Sequence, residues 1–279
     1  MNIGSKMRNW LLPEDIQDIL PPEAGRVELL RGRILELFRV HGYLYVIPPM
    51  LEYVESLLTG TGQDLDLRTF KLIDQASGRM MGVRADITPQ VARIDAHLLN
   101  REGVARLCYC GSVLHTRARS QGATREPLQI GAEIYGHAGI ESDLEIQDLL
   151  LRSLAAAGFD EVRLDLGHVG VFRALCSNAK VGPELEWSLH QALSAKDIPG
   201  IESMTADMDS ATRDALRALP RLYGGPDVLD QAQRVLPPIP AVAQALSDLR
   251  RLAGKARGPV GVDLADLRQM GQQRRGAVF

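Results

Sequence analysis

Apolar residues recur at helical spacing near the start of the chain. Leu30, Ile34, Leu37 and Phe38 lie three or four residues apart within EAGRVELLRGRILELFRVHG, which predicts an amphipathic helix. Gly42 follows, where a glycine in the left-handed region typically ends a helix. The next residues, YLYVI, are rich in β-branched and aromatic side chains and are followed by two prolines. The segment therefore predicts a helix followed by a short strand.

Two pairs of strands are predicted next. TFKLID and RMMGVR flank the turn residues QASG, a pattern typical of a hairpin. RLCYCGSVLH and EPLQIGAEIYG form the second pair, joined by the long basic segment TRARSQGATR. Between the pairs, Thr88 and Pro89 precede the apolar-periodic run QVARIDAHLL. We expect Thr88 to be the N-cap of a helix and Pro89 its first residue.

The second half of the chain reads as mainly helical. SDLEIQDLLLRSLAAAGF predicts a long helix, VRLDLGHVG a strand, residues 172–257 a mainly helical stretch, and VGVDLADLR a return to strand. Strands in this chain come in hairpins and do not alternate with single crossover helices. The pattern favours an α+β fold, with an antiparallel sheet flanked by helices.

Composition excludes several classes of protein. The 279 residues include 32 basic and 35 acidic side chains, a net charge of −3, which argues against a chain-wide basic footprint for nucleic acid. No apolar run reaches the roughly 18 residues of a membrane span, and no secretory signal is evident at the start. Three cysteines give no disulfide framework. We expect a cytoplasmic protein with no metal and no cofactor.

The strand LQIGAEIYG carries the most informative polar pattern. Gln129, Gly131 and Glu133 share one face of a strand, while Ile130 and Ile134 share the other. Such a face can form the floor of a site for a small polar ligand, with Gly131 allowing close approach. A solvent-facing strand whose polar residues have no role explains the same pattern.

Asp86 and Thr88 form a second candidate group, in VRADITPQ. An aspartate just before a helix is by default a capping or turn residue. If it faces the same floor, Asp86 can hold an ammonium group. Asp86, Thr88, Gln129 and Glu133 would then suit a zwitterionic amino acid.

Three separated segments together resemble class II aminoacyl-tRNA synthetases of the histidyl type. Residues 107–136 resemble motif 2, with strand, long loop and strand in register. HGYLYVIPPMLE resembles motif 1, and VRADITPQVARI resembles the loop that holds the amino group of histidine. The resemblance implies a single class II synthetase-like core domain over residues 1–279, with 172–257 as a mainly helical insertion and no anticodon-binding domain. Motif 3 is missing after DLADLR, so the core is expected to be truncated at the C-terminus.

Two departures from the synthetases affect the expected function. The first motif 2 strand of the synthetases ends in an arginine that binds phosphate and carboxylate, and this chain has His115 there. A mostly neutral imidazole does not replace a bidentate guanidinium on a phosphate. Arg117 stands where the synthetases have a glutamate, so aminoacylation is expected to be impaired or absent.

The altered sequence is similar to the regulatory subunits of ATP phosphoribosyltransferase. That resemblance implies a non-catalytic subunit required by the short-form enzyme, at the first step of L-histidine biosynthesis, with a role in histidine feedback. It implies the catalytic subunit as partner, self-association through the motif 1-like segment, and L-histidine as effector. Neither a membrane nor tRNA is expected as a partner.

The resemblance also assigns roles to the four candidate residues. Asp86 and Thr88 would hold the α-ammonium of histidine, Gln129 would contact its ammonium or carboxylate end, and Glu133 would accept a hydrogen bond from its imidazole. Two alternatives remain open. The chain is a histidyl-tRNA synthetase core that forms histidyl-adenylate, or it is a truncated inactive paralogue.

Overall fold

The chain forms two compact units in a computed structural model that describes residues 11–58 and 63–267. The first unit ends at Gly136 and the second begins at His137. The prediction of one domain over residues 1–279 stays a prediction.

The first unit combines short helices with two hairpins. Its described helices are α1 (Glu23–Val40), α2 (Val54–Leu57), α3 (Gln63–Arg68) and α4 (Thr88–Arg93), the last continuing as a π-helical segment, Ile94–Leu99. Its described strands are β1 (Leu44–Tyr45), β2 (Leu51–Tyr53), β3 (Phe70–Ile73), β4 (Met80–Val83), β5 (Ala105–Ser112) and β6 (Leu128–Tyr135). The predicted first helix and both hairpins are confirmed.

These strands form two three-stranded sheets, in the orders β1-β5-β6 and β2-β4-β3. The β5–β6 pair is antiparallel and places Tyr109 opposite Gly131 and Leu107 opposite Glu133. Ile87 and Val91 pack with Leu107 and Tyr109 in one buried cluster. Helix α4 therefore covers the same face of the hairpin that carries Glu133.

The second unit is mainly helical. Its described helices are α5 (Ile140–Ala156), α6 (Val169–Asn178), α7 (Pro183–Ser194), α8 (Ile198–Met204), α9 (Ser210–Ala218), α10 (Val228–Val235) and α11 (Pro240–Lys255). Three short strands, β7 (Leu164–Leu166), β8 (Tyr223–Gly224) and β9 (Val260–Asp263), form a sheet in the order β7-β9-β8. Strand β8 was not predicted from the sequence, because it consists of only two residues.

The α+β prediction is confirmed, with parallel pairing as an addition to it. Strand β1 runs parallel to β5, and β7 runs parallel to β9. The predicted end of α1 is also confirmed, because His41 is its C-cap and Gly42 follows with φ +84°.

The predicted start of α4 is wrong by one residue. Ile87 is the N-cap, Thr88 is the first helical residue and Pro89 the second. The Oδ1 atom of Asp86 accepts a hydrogen bond of 3.0 Å from the backbone N–H of Thr88. The Asp86 side chain thus satisfies a free donor at the helix start, as a cap does. The hydroxyl of Thr88 makes a different contact, with Tyr109.

Candidate functional site

The four predicted site residues come together in the first unit. Asp86 and Thr88 lie between β4 and the first turn of α4, and Gln129 and Glu133 lie on β6. Gln129 Nε2 donates to Asp86 Oδ1 over 2.9 Å, and Gln129 Oε1 accepts from the N–H of Ile87 over 2.9 Å. The amide of Gln129 therefore fixes the Asp86 segment against β6 from both sides of the turn.

A second set of contacts pairs Thr88 with Tyr109 and Glu133 with Tyr135. The Thr88 Oγ1 and Tyr109 hydroxyl oxygens are 2.9 Å apart. The hydroxyl of Tyr135 donates to Glu133 Oε2, and the hydroxyls of Thr88 and Tyr109 lower the pKa of the Glu133 carboxyl group. Hydrogen bonds thus join Asp86, Thr88 and Gln129 with Tyr109 in one network, while Glu133 is bonded to Tyr135. Neither tyrosine was predicted from the sequence as a site residue.

The expected role of Gly131 is wrong. A Cβ atom built on Gly131 would lie 2.5 Å from both the Cζ and the hydroxyl oxygen of Tyr109. The ring of Tyr109 thus occupies the space that Gly131 leaves over the strand. Register was the missed signal: once the two strands are paired around their loop, Tyr109 falls directly opposite Gly131.

Backbone contacts hold the Asp86 segment in place from two other elements. The N–H of Arg84 donates to the carbonyl of Met50, and the N–H of Leu114 donates to the carbonyl of Arg84, each over 3.0 Å. The buried guanidinium of Arg84 donates to the carbonyls of Pro48 and Ser112, both over 2.8 Å. These bonds tie Asp86 to the motif 1-like segment and to the end of β5.

His115 is buried and does not reach out to a ligand. It is 1% exposed, and its Nε2 lies 3.0 Å from the carbonyl oxygen of Ala85. Since a carbonyl only accepts, Nε2 carries the hydrogen and donates. Burial lowers the pKa of His115, and the nearby charges of Arg119 and Arg68 lower it further. The imidazole is therefore neutral at pH 7.

Glu133 is the titratable group at the centre of the site. Burial raises its pKa to about 7, and the Asp86 charge adds to that rise, while the hydroxyls of Tyr135, Thr88 and Tyr109 oppose it. Its Oε1 atom is buried and has no hydrogen-bond partner within the described residues. A desolvated carboxyl with one unsatisfied oxygen is costly to the fold when it is ionised.

Replacing Glu133 with Gln is expected to stabilise the protein at pH 8 and not at pH 4. The folded pKa lies above the ordinary value of 4.5, so ionisation costs stability as pH rises through about 7. The rise in pKa from 4.5 to about 7 corresponds to a gain of about 3 kcal/mol for the amide. Chemical denaturation at the two pH values measures it. Equal stability differences at both would contradict a raised pKa at Glu133.

The described parts of the chain lack a metal-ligating cluster and a membrane-spanning helix. They contain no group of three or more His, Cys, Asp or Glu side chains that could hold a metal ion. Among the described helices, none is long and apolar enough to cross a membrane. Cys108 and Cys110 are both free thiols.

Comparison with known proteins places the chain in a family. The histidyl-tRNA synthetase family model matches residues 15–279. An ATP phosphoribosyltransferase regulatory subunit from Ralstonia nicotianae is 63% identical over 263 residues, 94% of this chain and 68% of that protein. The chain belongs to the ATP phosphoribosyltransferase regulatory subunit family. A family member from Cupriavidus necator is 60% identical over 93% of this chain and 68% of its own length.

Solved structures agree with this family and its fold. An ATP phosphoribosyltransferase regulatory subunit/histidyl-tRNA synthetase from Bacillus halodurans is 25% identical with a TM-score of 0.81, covering 96% of this chain and 71% of that one. An ATP phosphoribosyl transferase (HisG:HisZ) complex from Thermotoga maritima contains a chain that is 18% identical, with a TM-score of 0.63. Coverage there is 94% of this chain and 87% of that one, and the likeness supports the class II synthetase-like fold alone.

Proposed function

We propose that this chain is a non-catalytic regulatory subunit required by short-form ATP phosphoribosyltransferase, the enzyme of the first step of L-histidine biosynthesis. The observation that carries the proposal is the 63% identity to a family member across 94% of the chain. In this role the subunit assembles with the catalytic subunit and takes part in histidine feedback. Feedback requires that histidine bind one state of the complex more tightly than another.

The geometry at position 115 supports a subunit without its own aminoacylation activity. The neutral imidazole of His115 donates its N–H to the carbonyl of Ala85, and the residue is 1% exposed. Such a group presents neither a positive charge nor a pair of donors to a phosphate. The alternative, a synthetase core, predicts histidine-dependent pyrophosphate exchange with ATP. We expect none above background, and exchange at a synthetase-like rate would favour the alternative.

We propose that the network around Gln129 is the histidine site. Asp86 and Thr88 would hold the α-ammonium group, Gln129 would contact the ammonium or carboxylate end, and Glu133 would face the imidazole. Support comes from the carboxylate of Asp86, which is held by two N–H donors at 2.9 and 3.0 Å and thus pre-positioned. A ligand that meets a fixed charge loses less free energy on ordering the site.

The motif 1-like segment is the proposed surface for self-association. Leu44, Tyr45, Ile47, Met50 and Leu51 are between 41% and 77% exposed. A cleft of about 420 Å³ lies beside them, lined by α1, β1 and Cys108. A run of exposed apolar side chains of this kind is typical of protein–protein contact sites. A second copy of this chain is therefore the proposed partner at this surface, and the catalytic subunit is a separate proposed partner.

Light scattering coupled to size exclusion tests both associations. The chain alone is expected to be at least a dimer at micromolar concentration, and a larger hetero-complex is expected when the short-form catalytic subunit is added. Ile47→Asp should weaken the self-association, while Leu185→Asp, at a half-exposed position of the second unit, serves as control. A chain that stays monomeric and does not bind the catalytic subunit would contradict the proposal. It would favour the inactive-paralogue alternative, most clearly if the chain also lacked a cooperative thermal transition.

We also propose a cytoplasmic location. Cys108, Cys110 and Cys176 are all free thiols, and unpaired cysteines are usual where the compartment is reducing. Expression of a tagged chain with cell fractionation checks it.

A further inference from the structure

One hydroxyl group binds the carboxyl group of Glu133, and two others act on it. Tyr135, on the same strand, donates to Oε2. The hydroxyls of Tyr109, on β5, and Thr88, in the first turn of α4, lower the pKa of the carboxyl group. The Oε1 atom is buried and has no hydrogen-bond partner among the described residues. One oxygen of the carboxyl group is therefore satisfied by the fold, and the other is an acceptor that the fold leaves unused.

Acidic groups also act on this cluster. The Asp86 charge adds to the burial that raises the pKa of Glu133. The charges of Glu133 and of Asp95, which lies in the π-helical segment, add to the burial that raises the pKa of Tyr135. Burial raises the pKa of both tyrosines, so each hydroxyl remains protonated and keeps its hydrogen to donate. Within the cluster, Glu133 is thus the group that changes its charge near neutral pH.

We propose that Glu133 is a proton switch for ligand binding, in which its ionised carboxylate accepts a hydrogen bond through Oε1 from a ring N–H of the ligand and binding expels the proton from the protonated form. This inference rests on the proposed function, because it takes histidine, an amino acid with an N–H heteroaromatic ring, as the ligand. The proton leaves Glu133 for solvent, and no covalent bond to the ligand forms.

The sign of the pH dependence follows from linkage. A donor N–H at Oε1 stabilises the charged form, so the pKa of Glu133 is lower in the complex than the value of about 7 in the free site. Protonation therefore competes with binding wherever the pH is below about 7. Affinity rises about tenfold between pH 6 and pH 8 when the bound carboxyl stays ionised, because its ionised fraction in the free site rises about tenfold.

Titration calorimetry on the full chain tests the switch. Histidine itself titrates near pH 6.5, so the probe is 1,2,4-triazolylalanine, whose N–H ring stays neutral from pH 6 to pH 8. The expected result is the tenfold gain in affinity over that range. Measurements in two buffers with different ionisation enthalpies should also show about half a proton released per probe at pH 7.

Two variants assign the proton to Glu133. Glu133→Gln cannot ionise, and its affinity for the probe is expected to be constant across the range. Tyr135→Phe removes the donor to Oε2, which opposes the rise in the pKa of Glu133, so the midpoint of the affinity curve should move to higher pH. The second variant keeps the test decisive if the first does not fold.

The outcomes separate the switch from the proposed function. Equal affinity at pH 6 and pH 8 in the unmodified protein would overturn the switch and leave the histidine site in place. A tenfold dependence that persists in Glu133→Gln, or a midpoint unmoved in Tyr135→Phe, would also overturn it. If neither the probe nor histidine binds at any pH, the proposed histidine site fails, and the switch fails with it.

Discussion

Asp86→Asn is expected to lower the affinity for L-histidine about 30- to 150-fold while leaving the fold intact. The amide oxygen of Asn can accept the same two hydrogen bonds that Asp86 Oδ1 accepts from Gln129 and Thr88. The substitution removes the negative charge and replaces the second carboxylate oxygen with an NH₂ donor. Losing the charge-assisted bond to an ammonium group costs about 2–3 kcal/mol. Titration calorimetry with histidine measures the loss, and thermal unfolding checks the fold.

The control for this variant is a charge removed elsewhere in the same unit. Asp18 is exposed, so Asp18→Asn should leave histidine affinity unchanged. If Asp86→Asn binds histidine as tightly as the unmodified chain, Asp86 serves only to accept the N–H of Thr88 at the start of α4. In that case the ammonium of the ligand would need a different partner.

Phe172→Ala is expected to lower the free energy of unfolding of the second unit by about 3–5 kcal/mol. Phe172 lies on α6, is 0% exposed and belongs to the main buried cluster of this unit. Its ring lies 6.4 Å from the ring of His190, between ring centroids. Truncation removes a whole aromatic ring and leaves a cavity that these packed helices fill only in part. Denaturant titration followed by circular dichroism measures the change.

Phe159→Ala makes the same chemical change at a position that is 62% exposed. This substitution should lower the free energy of unfolding by less than about 0.5 kcal/mol, since little buried area is lost. If both variants lowered the free energy of unfolding by similar amounts, the buried cluster around Phe172 would not stabilise the unit as the structure indicates.

The sequence predicts best those site residues that the alternation of side chains along one strand brings to the same face. Alternation in LQIGAEIYG places Gln129 and Glu133 on one face. In the structure Gln129 is bonded to Asp86, and the Asp86 charge and the Thr88 hydroxyl act on the pKa of Glu133. Tyr109 was missed because alternation describes one strand at a time. Only the register between β5 and β6 places its ring over Gly131.

Other differences have equally local causes. Helix α4 begins one residue earlier than predicted, where Asp86 accepts a hydrogen bond from the Thr88 N–H, while propensity alone ranks Thr88 highly as an N-cap. Strand β8 was missed because two residues are too few to show an alternation of apolar and polar side chains. Parallel pairing of β1 with β5 joins residues more than sixty positions apart, which no local pattern encodes. The raised pKa of Glu133 depends on burial, and burial is a property of the folded chain.

Reconstitution of the enzyme tests the central claim most directly. The short-form catalytic subunit is mixed with this chain, ATP and phosphoribosyl pyrophosphate, and formation of phosphoribosyl-ATP is followed with and without L-histidine. The regulatory role predicts that the rate rises when the chain is added, that histidine lowers it, and that Asp86→Asn weakens the histidine response while retaining the activation. A rate and a histidine response that do not depend on the chain would contradict that role.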